Sequence, residues 1–240
     1  SAASDVYKRQ QYRVSSLFAK EDHPSRKFGT GSLETIGDIT RDELVNFYEQ
    51  HYSSNRMGLA LLSNHSLDDL EVWAKKYFTS IKNRKLKRNY HDPVLFDKKE
   101  TFRLVRIDPV KDIRDLQITY PILGTREMYE NKPGRQLGFI VGHEGEGSLL
   151  SYLKNKGWAL SLSAGAGSDT KEYGMATIKI GLTPKGLKEY KEVVKTTLNY
   201  IELMKTSGYQ THVYNELKSM AELEYVYGSK GEGMWRATQL

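Results

Sequence analysis

Apolar residues along this chain recur at two different periods, and the points where the period changes outline its elements. Thr40-Arg41-Asp42-Glu43 reads as a capping box, with Leu44, Phe47, Tyr48 and His51 on one face behind it, so a helix with a buried apolar stripe is expected. Met57 to Leu62 is a short continuous apolar run, the pattern of a buried strand. Ser66-Leu67-Asp68-Asp69 opens a second helix, in which Leu67, Leu70, Trp73, Ala74, Tyr77, Phe78 and Ile81 return at helical spacing. Periodicity then disappears through the basic run Lys82 to Arg88 and the polar stretch up to Pro93, which marks a linker.

Beyond the linker, Phe102 to Ile107 and Leu116 to Tyr120 read as strands. Leu137, Phe139, Ile140 and Val141 behind Pro133 predict a helix, and Leu149, Leu150, Tyr152 and Leu153 another that stops at Gly157. Leu160 to Ala166 and Met175 to Leu182 form an expected antiparallel pair around the polar turn Gly167 to Tyr173. Thr183-Pro184 then starts a long amphipathic helix through Leu187, Tyr190, Val194, Leu198 and Ile201, ending before Gly208. The order is that of an α+β protein of two units, each an antiparallel or mixed sheet packed with helices. An irregular edge (1–11) precedes the first unit (12–88), a linker (89–96) follows it, and the second unit occupies 97–240.

Composition narrows the chemistry. With 240 residues, 38% hydrophobic and 28% charged, the chain can bury a real core. The absence of cysteine removes disulfides, thiolate metal sites and cysteine nucleophiles together, and it favours the cytoplasm for a protein expected to be soluble. Runs such as Leu59 to Leu62 are far shorter than the ~18–20 apolar residues of a membrane span. The net charge of +6 is concentrated in Lys82 to Arg88, where no aromatic platform accompanies it, so a solvated linker is expected and no nucleic-acid partner. The start at Ser1 suggests a fragment.

Candidate catalytic motifs fail on spacing. No two of His23, His51, His65, His91, His143 and His212 lie four apart, so the helical His pair that zinc hydrolases use does not exist here. His143-Glu144 has Gly147 where a second His would stand, which gives His143 a structural role near a helix end. Gly142 to Gly147 alternates glycine with two acids that would repel phosphate, and Ser148 reads as a helix cap rather than a nucleophile.

Several phrases nevertheless occur in a telling order: His23-Pro24, Lys27-Phe28-Gly29-Thr30-Gly31, Tyr52-Ser53-Ser54-Asn55, Ser66-Leu67-Asp68-Asp69-Leu70, Lys111-Asp112-Ile113-Arg114, and Gly142-His143-Glu144-Gly145 with Gly147-Ser148-Leu149-Leu150 and Lys156-Gly157-Trp158. This series resembles the pitrilysin/insulinase family of inverted-motif zinc metallopeptidases over roughly residues 12–240. The resemblance implies that residues 12–88 end a catalytic-type domain whose zinc motif lies upstream, and that 97–240 belong to a second, non-catalytic domain truncated at its C-terminus. It implies zinc in the parent protein and none bound by this chain, which alone would be inactive. Peptide substrates and the remaining domains of the same polypeptide would be its partners. The family's substrate-anchoring exosite falls on Gly142, Glu144, Leu162 and Ala164, with departures from the family's best-known member at Ala164 and Phe139. The alternative is a family member without activity that acts as a binding, processing or scaffold subunit.

Overall fold

The structure, a computed structural model, describes residues 10, 12–14, 16, 19–27, 31–87, 103–109, 112–167, 171, 173–229 and 231–239. Of the expected edge only Gln10 is among them, and the linker 89–96, Phe28 to Thr30, Arg88, Phe102 and Lys111 lie outside them. Contacts divide the chain into two compact units, one of residues 1–29 and 91–222, the other of 30–90 and 223–240.

The helices in the unit of residues 30–90 and 223–240 begin where the sequence caps them. After the short turn α1 (Leu33–Ile36), α2 (Arg41–His51) starts with the capping box in full: the Thr40 amide donates to Glu43 Oε2 at 2.8 Å, and the Glu43 amide to Thr40 Oγ1 at 3.3 Å. Ser66 caps α3 (Leu67–Phe78) by accepting from the Asp69 amide at 3.1 Å. Between them the Tyr52-Ser53-Ser54-Asn55 phrase clamps the basic segment. Buried Ser53 accepts from the Arg84 amide at 2.7 Å, Arg84 Nη1 donates to Tyr52 O at 2.9 Å, Ser54 N to Lys82 O at 3.1 Å, and Asn55 Nδ2 to Leu86 O at 3.0 Å. Residues 82–87 are therefore a pinned segment rather than free linker.

Two sequence expectations fail in this unit. Leu44 and Phe47 remain 52% and 56% exposed, and none of the described apolar side chains of α2 or α3 is buried. Met57 to Leu62 pairs with no strand among the described residues, and its apolar side chains are exposed. A 3.6-residue period identifies which face of a helix is apolar, and an apolar run identifies β-compatible backbone. Neither supplies the neighbour that would cover or pair it.

The unit of residues 1–29 and 91–222 is built on an antiparallel sheet of β1 (Asp115–Leu123), β2 (Ala159–Gly167) and β3 (Tyr173–Leu182) in the order β1-β3-β2, so β2 is an edge. The β2–β3 pair is the expected hairpin, and the α+β class stands. No strand forms at Arg103 to Ile107, whose Leu104 and Val105 are exposed. Helices α4 (Pro133–Val141), α5 (Leu149–Asn155), α6 (Pro184–Lys188), α7 (Tyr190–Thr206) and α8 (Thr211–Tyr227) follow, with α9 (Gly233–Gln239) in the other unit.

The core forms where α5 and α7 meet the sheet: Leu149, Leu150 and Leu153 are at most 1% exposed and gather with Val141, Leu162, Ile178, Ile180 and Val193. Burying each leucine contributes about 1.5–3 kcal/mol. Ser148 caps α5 by accepting from the Ser151 amide at 3.1 Å, and Gly157 beyond its end takes φ +69°, a conformation that favours glycine. The single long helix expected after Thr183 is broken at Glu189, and beyond the break Tyr190 and Ile201 pack partly buried against the core as expected. Val193 and Thr197 are the buried residues instead of Val194 and Leu198, with the Thr197 hydroxyl donating to Val193 O at 2.8 Å.

Registered rows across the sheet shrink along its length. Leu116, Ile180 and Leu162 form one row, Ile118, Ile178 and Ala164 the next, and Tyr120, Ala176 and Ala166 the third. Where the small residues lie, an apolar cavity of about 490 Å³ opens under α4, with Leu198 and Ile201 of α7 in its wall.

A candidate peptide anchor at the end of helix α4

The glycines of α4 place it against the edge strand. Gly134, Gly138 and Gly142 stand four apart and so share one helix face. A Cβ on Gly134 would lie 2.3 Å from Ala166 O, and one on Gly138 would lie 3.0 Å from Ala164 O and 3.2 Å from Gly165 Cα. At Gly142 the distance from such a Cβ to Ala164 N widens to 3.7 Å. The helix thus touches β2 over Ala164 to Ala166 and parts from it toward its own C-terminus.

In that opening lies a cavity of about 420 Å³ lined by Gly138, Phe139, Gly142, His143, Glu144, Leu162, Ser163 and Ala164. All four residues of the expected exosite are in its wall, each in a distinct role. Gly142 closes α4, its amide donating to Gly138 O at 2.8 Å. Glu144 is exposed in the loop that follows. Leu162 is 7% exposed and its side chain belongs to the core, so it offers the cavity main chain; Ala164 is half-buried on the same strand. The outer side of β2 faces no further strand among the described residues.

The electrostatics suit a cation. The last carbonyls of a helix lack intrahelical partners and carry the negative end of its dipole, and here a carboxylate stands two residues beyond that end. A cation held between Glu144 and these carbonyls would be next to the main chain of β2, which can pair with extended backbone.

Gly138 and Ser163 were not among the expected residues, and His143 was set aside. The four-residue spacing of the α4 glycines was the available signal for Gly138. His143 Nδ1 accepts from the Gly145 amide at 3.1 Å, and its ring stands 6.2 Å from that of Phe139, edge to face. His23, part of another phrase, is buried and meets Tyr173 edge-on at 5.2 Å, a packing role.

Zinc does not fit these donors. Among the described residues no group of three or more His, Asp and Glu comes together in a way that could hold a metal, and His143 already spends Nδ1 on the loop. Among them, too, no helix is long and apolar enough to cross a membrane.

Comparison with known proteins bears on the same region. The sequence model of the family described as "Peptidase M16 inactive domain" matches residues 38–220. The A-factor-processing enzyme of Saccharomyces cerevisiae is 33% identical over 227 residues, which cover 92% of this chain and 22% of the yeast protein. The insulin-degrading enzyme of Homo sapiens is 34% identical over 215 residues, covering 87% of this chain and 21% of the human protein. The crystal structure of pitrilysin matches with a TM-score of 0.87 at 22% identity, over 97% of this chain and 26% of that one, and this establishes likeness of fold. The chain spans about a fifth of the length of these two curated relatives.

Proposed function

This chain belongs to the peptidase M16 family, and we propose that it contributes chamber wall and a substrate-anchoring exosite to a larger zinc-dependent metalloendopeptidase that degrades peptides. Residues 12–88 then end the first, catalytic-type domain, and 97–240 form part of the second. The family's zinc and the groups that activate water belong to sequence outside this chain, whose own role is to hold substrate. Relatives named for insulin degradation and A-factor processing support peptides as the substrate class.

The observation that carries this reading is the cavity in which Gly142, Glu144 and the β2 main chain at Leu162 and Ala164 meet. A peptide's terminal ammonium would lie against Glu144 and the end of α4, while its first residues pair with β2. Because the site is open on one side, binding is weak. A fluorescent peptide with a free amino terminus should bind more tightly than its acetylated form, and Glu144→Gln should weaken the free form selectively, by roughly 0.5–1.5 kcal/mol. Equal weakening of both forms, measured by anisotropy, would remove the ammonium role. The description "inactive domain" also supports a second reading, a subunit without activity that binds or scaffolds. An intact His-x-x-Glu-His upstream of Ser1 supports the peptidase, and a degenerate one the subunit.

A further inference from the structure

Resting on the peptide-anchor reading, we infer that His143 is a second polar anchor of that site, donating from Nε2–H to the main-chain carbonyl of the bound peptide's first residue. A peptide held by its ammonium brings that carbonyl into the same cavity, where, in the added-strand register that turns it away from β2, it needs a donor to replace water. The lining side chains offer few. Phe139, Leu162 and Ala164 carry none, and ionised Glu144 only accepts. Ser163 alternates with Leu162 and Ala164 and so projects from the opposite face of β2.

His143 meets the requirement. Its Nδ1 accepts from the Gly145 amide at 3.1 Å, which in the neutral ring puts the proton on Nε2 of a side chain that lines the cavity. The ring is held there: a Cβ on Gly145 would lie 2.5 Å from His143 Cε1, so residue 145 must be glycine for the imidazole to fold over it, and Phe139 supports the ring edge to face. The short loop thus orients an imidazole that lines the same cavity as Glu144.

Two substitutions separate this role from one confined to the loop. His143→Asn keeps the loop, because an asparagine side-chain oxygen accepts from the amide two residues on, but it loses the far donor. His143→Gln sacrifices the loop bond yet carries an amide nitrogen close to the position of Nε2. Binding of a free-amine fluorescent peptide and of its analogue with a thioamide at the first residue, a poorer acceptor, is measured by anisotropy, with circular dichroism confirming the fold of each variant. We expect His143→Asn to weaken the ordinary peptide about five- to tenfold, to affect the thioamide much less, and His143→Gln to restore most of the loss. If His143→Asn binds like wild type while His143→Gln is impaired, the side chain serves the loop alone and the inference is wrong. If acetylating the peptide costs wild type nothing, the anchor reading itself fails and this inference with it. If acetylation weakens binding and both His143 variants bind as wild type, only the inference fails.

Discussion

Adding one methyl group to α4 tests whether glycine brings that helix onto the edge strand. In Gly134→Ala the new Cβ would lie 2.3 Å from Ala166 O and 3.2 Å from Ala166 Cβ. The oxygen is main chain and cannot swing aside, so helix and strand must separate by about an ångström, an overpacking that costs about 1–3 kcal/mol. Alanine also improves helix propensity by up to ~1 kcal/mol. The balance is a net loss of about 1 kcal/mol. Gly138→Ala has the same propensity gain but a Cβ 3.0 Å from Ala164 O, which a shift of a few tenths of an ångström relieves, so gain and strain should cancel to within about 0.5 kcal/mol. Urea denaturation followed by circular dichroism ranks the two variants, and amide exchange in β2 shows whether the change is local. If both substitutions stabilise the protein alike, glycine is present in α4 for some other reason and the close approach has no energetic weight.

Leu153→Ala removes a fully buried side chain from the core and should cost about 2–5 kcal/mol in the same denaturation assay. The amide and hydroxyl of Thr40 hold the Glu43 carboxyl below its ordinary range, so its capping contribution is present above the unfolded carboxylate range and fades as pH falls through the lower folded value. Glu43→Gln should flatten that acid-side loss of α2 helicity. Zinc titrated into the chain in a calorimeter should show no tight stoichiometric site, and a sub-micromolar one resistant to mild competition would contradict the donor geometry.

Elements whose ends are set by local chemistry were legible in the sequence. The caps at Thr40, Ser66 and Ser148, the left-handed Gly157 and the β2–β3 hairpin all depend on residues a few positions apart or on adjacent segments. Misreadings arose where structure depends on what lies alongside. Among the described residues Met57 to Leu62 and Arg103 to Ile107 have strand-like composition without a ladder, and the α2 stripe stays exposed. The break at Glu189 also falls in a sequence that reads as one helix, and Val193 rather than its neighbour Val194 is the residue fully buried there. At the candidate site, the family phrase carried Gly142, Glu144, Leu162 and Ala164, whereas Gly138 entered only through its approach to β2 and His143 through its bond to Gly145.

The clamp at Tyr52 to Asn55 also bears on time. Its bonds join residues 28 to 32 positions apart and close the chain into a loop that contains α3. One bond breaking leaves the others to hold the base of the loop, so partial loosening is quickly reversed. While that base stays closed α3 can unfold only into a tethered loop, which gains less conformational entropy than a free chain, so its complete opening is disfavoured. Ser53, with no exposed surface of its own, thereby bears on the stability of a helix that begins 14 residues further on.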